Sequence, residues 1–214
     1  MSARAVIFDL DGTLLDTLCD LADTGNAVLA AMGHPTHPIG AYRMFVGGGL
    51  VELVRRILPL DAANDHPRAL ELMRAEYARR WKAKTRPYPG VPEMLGALVA
   101  REVSISVLSN KPDPFCKLTV EHFFGRLPWA ALRGETKDFP PKPDSSGALA
   151  ISRELGVAPG EFLFVGDSPM DVQCALGAGM TPVGVTWGFR ERSTLETVGG
   201  KLFIDEPGEL PELI

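Results

Sequence analysis

Residues 5–14 read Ala-Val-Ile-Phe-Asp-Leu-Asp-Gly-Thr-Leu: an unbroken apolar run, 5–8, that stops at Asp9 and is followed by Gly12. A short continuous apolar run bounded by turn residues is the pattern of a strand buried on both faces, as in a parallel sheet. Working outward, the pattern recurs. Residues 104–108 (SISVL) end at Ser109-Asn110, and residues 162–165 (FLFV) end at Gly166-Asp167. Residues 181–185 form a further core-strand candidate, and 129–132 a weaker one. Between these runs, helical spacing predicts helices over 94–100, 115–124, 146–155 and 169–178. The third is preceded by a Ser/Asp-rich cap, the fourth has Pro169 in its first turn, and the two stop at Gly156 and Gly179. Strands alternating with helices imply an α/β fold with a parallel sheet covered on both faces.

The stretch 17–84 breaks the alternation. Leu21, Val28, Leu29 and Met32 share one helical face, Leu50, Leu53, Val54 and Ile57 a second, and Leu70, Met73, Tyr77 and Trp81 a third. An all-helical insertion therefore interrupts the α/β unit after its first strand. Residues 85–90 (TRPYPG) are the return linker. The expected division is a core of 1–16 and 85–214 and a helical unit of 17–84.

In a parallel sheet all C-terminal strand ends lie along one edge, where ligands of open α/β sheets bind. Asp9, Asp11, Ser109, Asn110, Asp167 and Asp171 can meet there although they are far apart in the chain. A single Asp after a strand is as readily a turn or helix cap, but three such strand ends in one chain point to a shared site. Bulk properties agree with a globular protein able to bury a real core: 214 residues, 45% hydrophobic and 23% charged. A net charge of −5 disfavours a nucleic-acid partner. Cys19, Cys116 and Cys174 are odd in number and show no CxxC spacing, so a reducing compartment is expected. No leader-like segment precedes the first apolar run, and no run approaches the ~20 residues of a membrane span. The expectation is a cytoplasmic protein with no membrane partner, monomeric or homodimeric. The histidines show no metal-ligand spacing.

The motif order resembles a known family. Phe8-Asp9-Leu10-Asp11-Gly12-Thr13-Leu14 matches the DxDGT signature of haloacid dehalogenase superfamily phosphatases. Ser109-Asn110-Lys111-Pro112, Lys142-Pro143-Asp144 and Gly166-Asp167-Ser168 with Asp171 resemble the second, third and fourth motifs, in order, over about 5–188. The resemblance implies a Rossmann-like core with a small helical cap, a Mg²⁺ cofactor, and a small phosphorylated metabolite as partner. It implies metal ligation by Asp9, Asp167 and the backbone carbonyl of Asp11, with Ser168 and Asp171 in an outer shell. Asp9 would be the nucleophile, Asp11 the acid and then the base, and Lys142 the cation at the phosphoryl group. Gly12, Thr13, Ser109 and Asn110 would bind substrate.

Elementary chemistry explains the residue types. A carboxylate approaching a phosphomonoester is repelled unless a hard, oxygen-seeking cation intervenes. A carboxylate nucleophile splits the reaction into two steps, and a second acid two residues away can protonate the leaving group and later activate water. Two carboxylates so close also raise each other's pKa, which favours a protonated Asp11. Residues 45–50 (FVGGGL) after Arg43 resemble the cap loop of phosphoglycolate phosphatases. That resemblance implies that Gly47, Gly48 and Gly49 face the site and that Arg43 attracts a substrate carboxylate. Residues 186–189 (TWGF) resemble the segment after the last core strand in that group. Glu102 stands where relatives often have glycine, and Ser145 where proline is frequent.

The leading expectation is a phosphatase acting on 2-phosphoglycolate. A β-phosphoglucomutase-like phosphomutase or an inorganic pyrophosphatase shares the core motifs. A phospho-accepting signalling switch is the reading from another class, with the Asp9-x-Asp11 pair and the helical insertion against it. Asp11 disfavours a dehalogenase, and an acid at that position disfavours a phosphonate hydrolase.

Overall fold

The computed structural model describes residues 3–125 and 127–214. Strand β1 (Ala5–Phe8) is fully buried and sits between two parallel neighbours, as its unbroken apolar run requires. The chain then forms the short β2 (Leu15–Asp16) and four helices: α1 (Leu18–Ala31), α2 (Tyr42–Phe45), α3 (Gly49–Ile57) and α4 (His66–Arg80). It returns through β3 (Arg86–Pro87), antiparallel to β2, so the outgoing and incoming connections are tied side by side. The remainder alternates as α5 (Val91–Ala100), β4 (Ser104–Pro112), α6 (Asp113–Phe124), β5 (Trp129–Glu135), α7 (Ser146–Leu155), β6 (Phe162–Gly166), α8 (Pro169–Ala178), β7 (Thr181–Val185), α9 (Arg192–Glu196) and β8 (Leu202–Ile204).

The six-stranded sheet has the order β5-β4-β1-β6-β7-β8 with every pair parallel. One apolar cluster covers each face of the sheet, drawn from alternate residues of the strands: Val6 and Phe8 of β1 lie on one side, Ala5 and Ile7 on the other. The helices α1–α4 bury their own cluster, in which Leu29, Tyr42, Val54 and Met73 are almost wholly covered. Several elements exceed the sequence reading, among them β2, α2, β3 and α9. The strand β8 was not anticipated, because its three residues give too short a periodic signal. The extended backbone of β4 continues past residue 108 through the whole Ser109-Asn110-Lys111-Pro112 motif.

A buried carboxylate fastens the two connections of the helical insertion. Asp20, on the first turn of α1, accepts hydrogen bonds from the backbone amides of Lys84 (2.9 and 3.0 Å) and Thr85 (2.8 Å) and from the Thr85 hydroxyl (2.7 Å). Among the described residues no helix is long and apolar enough to cross a membrane. The three cysteines are free thiols.

Candidate active site

Strand register brings the motif residues together. Phe8, the last residue of β1, is opposite Val107 and Val165. Asp9 lies one residue beyond that line, and Ser109 and Asp167 two beyond their own strands' partners, so all three emerge at one edge where β1 lies between β4 and β6. Carboxylate oxygens of Asp9, Asp167 and Asp171 lie within 4.8 Å of one another, all three buried. Lys142 reaches in from the loop before α7. Its Nζ lies 2.8 Å from Asp9 Oδ1 and donates to Asp171 Oδ1 at 2.6 Å.

This is an excess of buried negative charge around one ammonium. Burial pushes Asp9 up to about 7, partly offset by Lys142 and reinforced by Asp171 and Asp11. Burial, then Asp171 and Asp9, push Asp167 up to about 8. Burial alone would lower the pKa of Lys142, but Asp171 and Asp9 outweigh it and hold the ammonium well above its ordinary range. Three converging hard oxygen donors, all buried, are a donor set that fits a divalent metal of the hard class.

The first motif loop is shaped around Asp167. Gly12 has φ +94°, and a Cβ there would stand 2.4 Å from Asp167 Oδ2 and 2.8 Å from the Phe189 ring, so only glycine fits. The Phe189 amide donates to Asp167 Oδ2 at 2.7 Å, and the Thr13 hydroxyl donates to Oδ1 at 3.5 Å. Trp187 Nε1 donates to the Thr13 carbonyl at 3.0 Å, which makes the 186–189 segment a buttress of this loop. Gly12 and Thr13 are expected from sequence to contact substrate. Here both back Asp167: the Gly12 amide donates to the Leu15 carbonyl (2.8 Å), and neither residue is among those lining the cavity below the helical insertion.

Asp171 accepts from the Ser168 amide (3.0 Å) and hydroxyl (2.6 Å) with Oδ2, the reach-back of a helix-capping pair at the start of α8. With Oδ1 on Lys142, both oxygens are engaged by protein donors. Asn110 also acts structurally through its side chain. Its Oδ1 accepts from the Lys142 amide at 2.6 Å, and its Nδ2 donates to the carbonyls of Lys142 (3.1 Å) and Gly47 (2.9 Å).

That last bond crosses to the helical insertion, which is docked on the core. Arg190 Nη2 donates to the carbonyls of Val46 (2.9 Å) and Met44 (3.3 Å), and Arg43 Nη1 to that of Gly188 (2.9 Å). Arg43, expected to attract a substrate carboxylate, has its guanidinium here on the Gly188 carbonyl, where it fastens insertion to core. The glycines of the loop differ in placement. Gly47 and Gly49 line the cavity, while the space beside Gly48 is filled by Glu52.

The cavity enclosed between insertion and core has a volume of about 240 Å³, just under the roughly 300–1,000 Å³ of drug-sized ligand pockets. Asp9, Asp11, Ser109 and Asn110 line it on the core side. Lys111 lines it too, a residue given no role from the sequence. Its buried Nζ donates to both Asp11 oxygens (2.8 and 2.6 Å) and lies 5.1 Å from the Tyr77 ring centre on α4. The close neighbour of Asp11 is therefore this ammonium, where the DxD spacing alone suggests Asp9. The available signal was a lysine directly after Ser109-Asn110, in a strand otherwise buried.

Comparison with known proteins identifies the family. Residues 6–185 match the family model described as haloacid dehalogenase-like hydrolase, and the chain belongs to that family. Relatives within it include phosphoglycolate phosphatases. The chain is 36% identical over 214 residues to the phosphoglycolate phosphatase of Pseudomonas putida, covering 95% of this chain and 76% of that one. It is 32% identical over 216 residues to the phosphoglycolate phosphatase of Chromobacterium violaceum, covering 99% and 96%. A crystal structure from Lactobacillus delbrueckii subsp. bulgaricus superposes with a TM-score of 0.93 at 29% identity, covering 100% of this chain and 99% of that one. A haloacid dehalogenase-like family hydrolase from Streptococcus pneumoniae, at 19% identity, shares the fold with a TM-score of 0.89 and coverage of 99% and 98%. The protein is thus an enzyme, a phosphatase similar to phosphoglycolate phosphatases.

Proposed function

We propose that the enzyme is a Mg²⁺-dependent phosphomonoesterase that works through an aspartyl-phosphate on Asp9, with 2-phosphoglycolate as its substrate in the cytoplasm. The observation that carries this reading is the buried cluster of Asp9, Asp167 and Asp171, with Lys142 paired to Asp9 and Asp171, from which Asp9 lines a small capped cavity. Asp9 and Asp167 with the Asp11 carbonyl would hold the cation, and Asp171 is kept in the outer shell by Ser168 and Lys142. When bound, the cation neutralises phosphate charge beside the nucleophile.

The chain's own residues then divide the work. Lys142 fixes Asp9 by one carboxylate oxygen. Asp9 forms a bond to phosphorus as the ester O–P bond breaks, and the leaving alkoxide takes a proton from Asp11. Water then attacks phosphorus and gives its proton to Asp11, and the Asp9–phosphoryl bond breaks, releasing inorganic phosphate. Lys111 holds both Asp11 oxygens at the cavity wall, so the acid step requires Asp11 to gain a proton and turn one oxygen from Lys111 to the leaving group. Ser109 is positioned to donate to a phosphoryl oxygen. The docked insertion keeps bulk water from the intermediate.

The test is a panel of phosphorylated metabolites assayed with Mg²⁺ and with a chelator. The expected result is Mg²⁺-dependent release of phosphate with the highest kcat/KM for 2-phosphoglycolate. Equal turnover in chelator, or a sugar phosphate as the preferred substrate, contradicts the proposal.

A further inference from the structure

Among the described cations at the cavity and the seam beside it, one has neither an ion pair nor a hydrogen bond. Lys142 is neutralised by Asp9 and Asp171, and Lys111 by Asp11. Arg43 and Arg190 are turned onto backbone carbonyls. Arg74 also lines the cavity, from α4, one helical turn before Tyr77. Among the described residues its guanidinium makes no ion pair and no hydrogen bond, whereas Arg55, Arg56, Arg79 and Arg80 on the same insertion are all paired with Glu52 or Glu76. The wall around it is apolar, with Leu21, Val46, Leu50, Leu53 and Phe115.

We propose that Arg74 is the specificity residue that reads a carboxylate at the end of the substrate away from the phosphoryl group. The inference rests on the reading of this cavity as the substrate site. A guanidinium offers a planar fork that matches a carboxylate through two parallel hydrogen bonds. The position is electrostatically defined from the core side as well. Glu135, at the end of β5, stands against the cap loop, with Oε2 3.0 Å from where a Cβ on Gly49 would lie. Burial raises the Glu135 carboxyl above its ordinary range, and the field of Arg74 acts against that rise. Arg74 thus lies within the field of an acidic group near the seam of insertion and core without an ion pair to it, and a substrate carboxylate entering the cavity would supply the contact it lacks.

The experiment compares wild type, Arg74→Met and Arg74→Lys on three substrates: 2-phosphoglycolate, 2-hydroxyethyl phosphate, which replaces the carboxylate by a neutral hydroxymethyl group, and 3-phosphoglycerate. Arg74 is exposed and unpaired, so both variants should fold, which a thermal melt checks. The expected result is a wild-type preference for a carboxylated substrate over 2-hydroxyethyl phosphate that falls about 10- to 100-fold in Arg74→Met. The loss should reside in KM, and Arg74→Lys should recover part of it. A carboxylate preference left intact in Arg74→Met overturns the inference while leaving the substrate reading standing. A preference for 3-phosphoglycerate that is lost in Arg74→Met supports the inference and overturns 2-phosphoglycolate as the substrate. A wild-type enzyme indifferent to the carboxylate overturns both.

Discussion

Removing the divalent cation while raising the pH perturbs the site most informatively. Asp167 is pushed up to about 8 and Asp9 to about 7 from an ordinary 3.8, chiefly by burial. Both shifts are upward. Without a cation, the folded enzyme therefore holds protons across about pH 4–8 that the unfolded chain has already lost. The stability these groups contribute is fully present below about pH 4 and is lost as pH rises through about 7–8. One pKa unit is worth about 1.4 kcal/mol, so Asp167 alone sets a ceiling on the order of 5 kcal/mol. For a domain of this size that corresponds to roughly 10–20 °C in Tm. Mg²⁺ competes with those protons and replaces them as the source of balancing charge, so its stabilising effect should grow with pH. The assay is a set of thermal melts between about pH 5 and 8.5, in chelator and in saturating Mg²⁺. Subtracting the two curves cancels every group remote from the site. The Tm gap should be small at about pH 5 and widen by several degrees or more by about pH 8, and Asp167→Asn should flatten it. A gap independent of pH, or a chelated enzyme most stable at pH 8, would refute this reasoning.

Two further predictions concern the scaffold. Glu102, with φ +60°, is the one non-glycine left-handed residue among those described, so Glu102→Gly should raise stability by about 0.5–1 kcal/mol in chemical denaturation; an equal gain in Glu102→Ala would assign the effect to charge instead. Asp20→Ala strands three buried or half-buried donors of the returning linker and should cost about 3–4 kcal/mol, measurable as a Tm drop of roughly 10 °C, with Asp20→Asn intermediate; an unchanged melt would remove Asp20 as the clamp between the two connections.

Much of the architecture was legible because it is carried by local patterns. The runs at 5–8, 104–108 and 162–165 read as buried strands because they are short, apolar and bounded by turn residues, and in a parallel sheet their polar ends fall on one edge. Glu102 was visible as a departure, and the structure supplies its meaning in a turn that favours glycine. What escaped was pairwise and tertiary. No spacing rule says that Lys111 grips Asp11 rather than solvent, because the two meet only through the register of β1 with β4. Asp20 sits among the apolar residues Leu18, Leu21 and Ala22 of α1, a position that hinted at burial, but its partners are more than sixty residues away. Gly12 and Thr13 look like ligand contacts because the motif is short. They serve Asp167, since its carboxylate fills the space that a Cβ on Gly12 would need. Arg43 reads as a free cation until the docked loop shows it bonded to Gly188.

The central claim, that Asp9 carries the phosphoryl group, is tested most directly by quenching the enzyme with acid within its first turnover of 2-phosphoglycolate and mapping the peptides by mass spectrometry. A phosphoryl adduct on the peptide containing Asp9, absent from Asp9→Asn and short-lived in the wild type, is the predicted result. Mg²⁺-dependent turnover by Asp9→Asn, or an adduct on any other residue, would contradict the account.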